Sequence, residues 1–149
     1  MSGRKIILVD FDGTLCDITH RLHFINDKRK KRDWNAFFDA CDEDKPKQPV
    51  IDLVNTLYTS GKYWVYIISG RSDRVHDKSV RWLEDHKVEY HAFHMRPEGD
   101  HQPDYLLKEG WLETIKAKNV ALAIDDRTQV VDMWRRNGIT TLQVEKGNF

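Results

Sequence analysis

The sequence predicts a doubly wound, Rossmann-like α/β fold: a mostly parallel sheet with helices flanking both faces. Three continuous apolar runs, rich in β-branched and aromatic residues, alternate with segments whose apolar residues recur at helical spacing. Continuous apolar character, rather than strict alternation, is typical of strands that are covered on both faces. The alternation of strand and helix favours right-handed crossovers between parallel strands.

The predicted strands are short runs bounded by polar residues. The three strongest are Lys5–Val9, Tyr63–Ile68 and Val120–Ile124. Two weaker candidates are Tyr90–Met95 and Thr140–Val144. Five strands separated by helical segments are enough for one open sheet.

Amphipathic patterns predict helices between these strands. They cover Val50–Ser60, Arg74–His86, Asp104–Lys116 and Arg127–Asn137. Gly61 and Gly138 follow the first and last of them, where glycine commonly ends a helix. Ser72 precedes the second and is a candidate N-cap.

The stretch from about 16 to 48 is too long for a simple loop between a strand and a helix. It contains "DWNAFFDAC", which predicts a short amphipathic helix. We interpret the stretch as a small cap inserted after the first strand of a single domain, residues 1–149. Its residues Trp34, Phe37 and Phe38 are expected to form the buried face of the cap helix, with base stacking as the alternative.

The cap also carries the basic run "KRKKR", Lys28–Arg32. Such a run is usually a solvated loop, but beside a binding cleft it would attract a polynucleotide in a salt-dependent way. The chain as a whole has 24 acidic and 24 basic residues. This balance argues against a globally basic nucleic-acid binder and leaves a local patch open.

Nothing in the sequence indicates export or membrane insertion. No apolar run reaches the length that spans a bilayer, and the N-terminus lacks the features of a signal peptide. Cys16 and Cys41 do not form a CxxC motif. We therefore expect a cytoplasmic protein with two reduced thiols and no membrane association. No motif indicates an oligomeric state.

Each of the three strong strands is followed by polar residues that could perform chemistry. The first precedes Asp10-Phe11-Asp12-Gly13-Thr14, the second Ser69-Gly70-Arg71, and the third Asp125-Asp126. Open α/β sheets bind ligands in the crevice at the carboxyl ends of their strands. The three segments are therefore expected to meet there.

Four carboxylates in one crevice would repel each other unless a cation lies among them. Asp10 and Asp12 are two residues apart and are expected to project to the same side of an extended chain. Carboxylate oxygens are the ligands that Mg²⁺ prefers, together with water and substrate phosphate. Each acidic pair alone has a simpler explanation as a turn or a helix cap. Their occurrence at successive strand ends favours a magnesium site.

The same residues resemble the motifs of the haloacid dehalogenase superfamily of phosphatases. "DFDGTL" (Asp10–Leu15) resembles the first motif, the end of the second strand at Ser69 the second, Lys108 the third, and "AIDD" (Ala123–Asp126) the fourth. "SGR", "DYLLKE" and "AIDDRTQVVDMWRRNGI" look more specifically like the 3′-phosphatase domain of phage polynucleotide kinase/3′-phosphatase enzymes. The sequence has no GxxxxGK[ST] loop, so a phosphatase without the kinase half is expected, in the host cytoplasm if a phage encodes it.

The resemblance implies a role for each site residue. Asp10 would be the nucleophile that forms an aspartyl-phosphate, and Asp12 the general acid and then base. Mg²⁺ would be held by Asp10, the main-chain carbonyl of Asp12, and the Asp125/Asp126 pair. Phosphate or substrate would be bound by Thr14, Ser69, Gly70, Arg71, Lys108 and Arg21. Asp104, four residues before Lys108, would hold that lysine in place.

The function implied is Mg²⁺-dependent removal of 3′-phosphates from DNA or RNA ends. A separate kinase or ligase is a possible partner, which the sequence leaves open. Two alternatives are a small-molecule phosphatase, such as a nucleotidase, and a non-catalytic module that binds nucleic-acid ends. His91, His94 and His101 invite a zinc interpretation, but no ligand set completes it. They are expected to be strand and loop residues.

Overall fold

The structure, a computed structural model, describes residues 3–147. The strands in this range are β1 (Lys5–Val9), β2 (Cys16–Asp17), β3 (Lys45–Pro46), β4 (Tyr63–Ser72), β5 (Ala92–Arg96), β6 (Val120–Asp125) and β7 (Thr141–Gln143). Five of them form a sheet in the order β5-β4-β1-β6-β7, and every neighbouring pair in it is parallel. The predicted doubly wound α/β fold is confirmed.

Helices connect these strands near the predicted positions. They are α1 (His23–Asn26), α2 (Trp34–Asp39), α3 (Gln48–Thr59), α4 (His76–Asp85), α5 (Asp104–Ile115) and α6 (Thr128–Arg136). Short 3₁₀ turns cover Thr19–Arg21, Ala40–Glu43, Asp73–Val75 and Ala117–Asn119. Ser72 caps the third of these turns by accepting a hydrogen bond from the Arg74 N–H, so α4 itself begins two residues later than predicted.

The central strand β1 is buried on both faces. Ile7 and Val9 pack in the cluster that includes Ile51 of α3 and Leu83 of α4. The alternate residues of β1, Ile6 and Leu8, pack instead with residues of α5 and α6, among them Leu112, Val130 and Trp134. Side chains alternate across a strand, so a strand between two helical layers needs apolar residues at every position.

The prediction that the second strand ends before Ser69 is wrong. Strand β4 continues through Ser72, which pairs with Arg96 of β5, and the register shifts between Ser69 and Ser72. Apolar patterning misses this end because Ser69 and Ser72 are polar, although both pair with residues of β5. Gly70 and Arg71 consequently lie within the irregular end of a strand, and a 3₁₀ turn separates them from α4.

The sheet places a crevice beside β1. The chain runs from β1 outward to β4 and β5, then returns to β6 on the other side of β1. Ligands bind at such points of reversal, outside the carboxyl ends of the strands. Asp10 directly follows β1, and Asp125 is the last residue of the neighbouring β6. Both therefore lie at this crevice.

The predicted insertion leaves and rejoins the domain through an antiparallel pair. Cys16 of β2 pairs with Pro46 of β3, and Asp17 pairs with Lys45. Helices α1 and α2 lie between these two strands in the chain and contact each other. Composition alone did not predict β2, β3 or α1, because each is four residues or shorter. Within residues 3–147, no helix combines the length and the apolar composition needed to cross a bilayer.

Candidate active site

Three buried carboxylates meet at the ends of β1 and β6. Asp10, Asp125 and Asp126 each offer an oxygen within 4.8 Å of the others. The Lys108 ammonium lies against them, with Nζ 2.8 Å from Asp10 Oδ1 and 3.1 Å from Asp125 Oδ2. Lys108 is itself fully buried, on the face of α5 that packs toward the sheet.

Burial dominates the electrostatics of this group. It raises the pKa of Asp10 well above the ordinary value, and repulsion from Asp125 adds to the effect while Lys108 opposes it. Burial also raises the pKa of Asp126, to about 6. Burial alone would lower the pKa of Lys108, but Asp10 and Asp125 outweigh it and raise that pKa. The lysine thus stays charged, and its single charge faces three carboxylates.

This donor set fits Mg²⁺. The oxygens are hard ligands, they converge, and the one ammonium beside them leaves an excess of negative charge. Gly13 allows the close approach: its φ of 81° suits glycine, and a Cβ there would overlap the Asp126 carboxylate. Residues that would hold the ion are Asp10, Asp125 and Asp126, while the Asp12 side chain points elsewhere.

Neighbouring donors fix the three carboxylates. The Thr14 hydroxyl donates to Asp10 Oδ2 at 3.0 Å, and a second contact to Asp126 Oδ1 is longer, at 3.4 Å. Asp125 Oδ1 accepts the Asp126 N–H at 2.9 Å, and the indole N–H of Trp134 lies 3.4 Å from Asp125 Oδ2. Thr14, predicted to bind phosphate, therefore orients carboxylates in this structure.

Asp12 lies in a separate set of contacts, between two arginines. Arg71 NH2 donates to Asp12 Oδ1 at 2.5 Å, and Arg21 NH2 donates to the same oxygen at 2.7 Å. Burial alone would raise the pKa of Asp12, but the charges of both guanidiniums and their hydrogen bonds outweigh it and lower the pKa to about 2. The structure thus brings Arg21, from the cap, and Arg71, from β4, to one carboxylate.

Asp44 binds the same two arginines. No role was predicted for it from the sequence. Its fully buried carboxylate accepts hydrogen bonds from Arg21 Nε at 2.8 Å and Arg21 NH2 at 2.7 Å, with Arg71 NH2 at 3.4 Å. His20 Nε2 lies 2.6 Å from it. No local pattern marks Asp44 in the stretch "CDEDKPK", because its partners come from elsewhere in the chain.

Asp12, Cys16 and Asp44 also bring potential ligand atoms within 4.8 Å of one another. Both carboxylates are already paired with guanidiniums, and burial raises the pKa of the Cys16 thiol. A cation would have to displace these arginines, so this cluster does not fit a metal. Among the residues that the structure describes, no candidate metal cluster contains His91, His94 or His101.

Asp104 holds an arginine more closely than it holds Lys108. Arg96 NH2 donates to Asp104 Oδ1 at 3.0 Å, whereas Lys108 Nζ is 3.8 Å from Asp104 Oδ2. Arg96 also donates from Nε to the Gly70 carbonyl at 2.7 Å. Arg96 therefore ties the irregular end of β4 to the start of α5, a role that sequence analysis missed. The Ser69 hydroxyl is buried and accepts the Arg71 N–H at 3.0 Å.

A cavity of about 410 Å³ opens above these groups. Its inner end is lined by Asp10, Asp12, Gly70, Arg71, Asp104 and Asp126. The other predicted site residues are buried and do not line the cavity: Ser69, Lys108, Arg21, Thr14 and Asp125. The arrangement can place a phosphate between a buried carboxylate and a guanidinium.

Comparison with known proteins gives a family. Residues 4–149 match the family described as the polynucleotide kinase PNKP phosphatase domain. A chain in a Pnkp1/Rnl/Hen1 complex is 31% identical, with a TM-score of 0.80 over 98% of this chain and 47% of that chain. A chain in a Pnkp1/Rnl/Hen1 RNA repair complex is 27% identical, with a TM-score of 0.79 over 100% of this chain and 45% of that one. The present chain thus spans about half the length of both.

More distant structures share the fold alone. A haloacid dehalogenase family enzyme from Bacteroides thetaiotaomicron, in complex with magnesium and inorganic phosphate, is 16% identical. Its TM-score is 0.57 over 99% of this chain and 97% of that chain. The fold of this chain is therefore a widely shared architecture.

Proposed function

Because this chain belongs to the polynucleotide kinase PNKP phosphatase domain family, we propose that it removes the 3′-phosphate from the ends of DNA or RNA strands. It is a phosphatase of the haloacid dehalogenase superfamily. One observation in the structure carries the assignment of the active site. The Asp10 carboxylate, 2.8 Å from the Lys108 ammonium, lies at the inner end of a cavity that Asp12 and Arg71 also line.

The phosphate would enter between Asp10 and Arg71. A planar guanidinium suits bidentate contact with phosphate oxygens. Arg71 lines the cavity, and its guanidinium is buried beneath the cavity surface, where Ser79 Oγ accepts from NH1 at 2.9 Å. Gly70 lines the cavity beside it and has no side chain to obstruct the phosphate. Arg21 stands behind Asp12 and supports the charge of this end of the cavity.

Asp10 would act as the nucleophile. A carboxylate oxygen of Asp10 forms a bond to phosphorus while the bond from phosphorus to the 3′-oxygen breaks, which gives an aspartyl-phosphate and a free 3′-end. Water then attacks the phosphorus of this intermediate, the bond to Asp10 breaks, and inorganic phosphate leaves. Thr14 and Lys108 hold the two carboxylate oxygens of Asp10 through both steps.

Asp12 would transfer the protons. Once Asp12 has taken up a proton from solvent, it gives that proton to the departing 3′-oxygen and takes one back from the attacking water, so the protonated carboxyl is restored. In the free site both arginines bind this carboxylate. An incoming phosphate competes for the Arg71 guanidinium and loosens that ion pair, which makes protonation of Asp12 easier.

The carboxylates of Asp10, Asp125 and Asp126 would hold Mg²⁺ beside the phosphate. Bound there, Mg²⁺ would supply positive charge that offsets the repulsion between the Asp10 carboxylate and the phosphate dianion. The convergence of three buried carboxylates, two of which contact the Lys108 ammonium, supports this assignment. The Lys108 ammonium supplies a second, permanent positive charge at the nucleophile.

A strand end is favoured as the substrate over an isolated nucleotide. The cap is small, and the cavity that it overhangs remains open toward the basic loop Lys28–Arg32, whose residues are exposed. The similarity to a chain of an RNA repair complex supports RNA ends and a separate kinase or ligase as partner. A cavity of about 410 Å³ also matches a small-molecule site, which favours a nucleotidase as the second candidate.

The test is phosphate release with Mg²⁺ from 3′-phosphorylated RNA and DNA oligonucleotides, their 5′-phosphorylated isomers, and 3′- and 5′-mononucleotides. Asp10→Asn serves as the blank for each. Preferential release from 3′-phosphorylated oligonucleotides, weakening as salt rises, supports the proposal. Equal or better turnover of mononucleotides moves the assignment to a nucleotidase. Binding of 3′-ends without any Asp10-dependent release identifies an end-binding module instead.

A further inference from the structure

The outer part of the cavity has an apolar wall that the phosphatase chemistry does not use. On the cap side, the cavity is lined by Ile18, Leu22, Ile25, Trp34, Phe37 and Phe38. The opposite wall is the largely polar segment 96–104. Phosphate binding and hydrolysis need only the inner end of the cavity. The apolar wall therefore suits a different, apolar part of a ligand.

Trp34 is the most exposed ring of this wall. It begins α2 and is 44% exposed, so the prediction that it lies on the buried face of the cap helix is wrong. Phe38 follows one helical turn later, with ring centroids 5.9 Å apart and planes inclined by only 30°. The planes of the two rings are therefore inclined at similar angles, and both rings lie along one side of the helix.

The wall is held in place from behind. Phe37 is buried and meets Trp34 edge-on, with centroids 5.7 Å apart and planes at 88°. The Arg21 guanidinium lies 4.4 Å from the centre of the Phe37 ring, and Arg21 NH1 donates to the Phe37 carbonyl at 3.2 Å. The same arginine binds Asp12, so Arg21 links the aromatic wall to the inner end of the cavity.

Positive charge lies at the outer end of the wall. Arg32 lines the cavity two residues before Trp34 and ends the exposed basic loop Lys28–Arg32. From the inside outward the cavity therefore offers a phosphate position, a flat apolar surface and a basic loop. A molecule with a terminal phosphate, a flat aromatic body and further negative charge beyond it matches this order.

We propose that Trp34 and Phe38 form a stacking platform for the base of the nucleotide that carries the 3′-phosphate. This inference rests on the proposed function and deepens it, because it makes the terminal base part of what the enzyme recognises. Stacking accepts any base, since every base has a flat aromatic face. Preference for a nucleotide ester over other phosphate esters then comes from the cap.

The test compares two short oligonucleotides that are identical except at the 3′-terminal nucleotide, which is either normal or abasic, both carrying the 3′-phosphate. For the wild type we expect kcat/KM to be about tenfold higher or more on the normal oligonucleotide. Trp34→Ala should abolish most of this preference, and Trp34→Phe should keep part of it. Leu53→Ala is the matched control, because Leu53 is 42% exposed on α3 and does not line the cavity.

Three outcomes would overturn the platform while leaving the proposed function intact. They are equal wild-type turnover of the two oligonucleotides, an equal loss on both in Trp34→Ala, or the same loss of preference in Leu53→Ala. Failure of the proposed function looks different. In that case the wild type releases phosphate from neither 3′-phosphorylated oligonucleotide but does release it from a mononucleotide.

Discussion

Asp44 and Arg21 form a buried bidentate ion pair within the cap. Arg21 Nε and NH2 donate to the two Asp44 oxygens at 2.8 and 2.7 Å, and neither side chain is exposed. Arg21 also binds Asp12. The charge on Asp44 therefore holds Arg21 in its position at the site, although Asp44 does not itself line the cavity.

Replacing Asp44 with Asn should destabilise the fold and weaken catalysis together. Arg21 and Arg71 would keep only Asp12 as a charged partner, and breaking a buried ion pair costs about 3 kcal/mol or more. We expect a lower melting temperature and a fall in kcat/KM for phosphate release. Both can be measured on the same preparation by thermal unfolding and by a phosphate assay.

Asp39→Asn is the matched control. Asp39 also accepts two hydrogen bonds from one arginine, Arg74, but both partners are substantially exposed. A surface pair of this kind contributes about 1 kcal/mol at most. If the two variants lose similar stability and activity, the buried pair has no special role.

Asp126→Asn should affect the stability of the metal-free protein and of the Mg²⁺-bound protein differently. Without divalent cation, the variant should be at least as stable as the wild type, because one of three mutually repelling carboxylates is neutralised. With Mg²⁺ the wild type should gain melting temperature, and the variant should gain much less. Asp132→Asn, on the exposed side of α6, should respond to Mg²⁺ as the wild type does. Equal Mg²⁺ stabilisation of Asp126→Asn would contradict the site.

Gly70→Ala should disturb the end of β4, because a Cβ there would overlap the Asp104 carboxylate. Asp104 would have to move away from Arg96, which lies 3.0 Å from it. A shift of about 1 Å in the residues at a phosphate site can lower kcat/KM about a hundredfold. Steady-state kinetics on a 3′-phosphorylated oligonucleotide would detect it.

Gly110→Ala is the opposite case within the same region of the chain. Gly110 lies inside α5, and an added Cβ would meet nothing within 4 Å. Alanine should stabilise the helix by about 0.5–1 kcal/mol and leave kcat/KM unchanged. A similar loss of activity in both variants would show that the overlap with Asp104 is not the cause.

His91 should make stability fall as pH decreases. Its Nδ1 accepts the Val65 N–H at 2.9 Å, which a protonated ring nitrogen cannot do. Partial burial, with a smaller effect from Arg4, lowers the pKa of His91 below its ordinary value of 6.5. The unfolded chain therefore binds the proton more readily, so this stability is present above pH 6.5 and is lost as the pH falls through the lower, folded-state pKa.

The measurement is the melting temperature of wild type and His91→Ala between pH 7.5 and 5. The variant should be less stable at pH 7.5, by about 1 kcal/mol at most, and the difference should shrink toward pH 5. A constant difference across this range would exclude protonation of His91 as the cause.

The sequence was sufficient for the parallel sheet and for the positions of its main helices. Strand β1 matches its predicted bounds, Lys5–Val9, because a strand between two helical layers must be apolar at every position. Asp10 and Asp125 could be placed at one crevice for a related reason. Residues that follow neighbouring parallel strands lie at the same edge of the sheet.

Only the tertiary structure decided which charges pair. The four predicted carboxylates divide into a group around Lys108 and a separate Asp12 held by Arg21 and Arg71. Asp44 and Arg96 carry no local signal, since Asp44 binds Arg21 and Arg96 binds the Gly70 carbonyl, more than twenty residues away in each case. Strand and helix formation follows from local periodicity, whereas buried ion pairs depend on distances that folding alone sets.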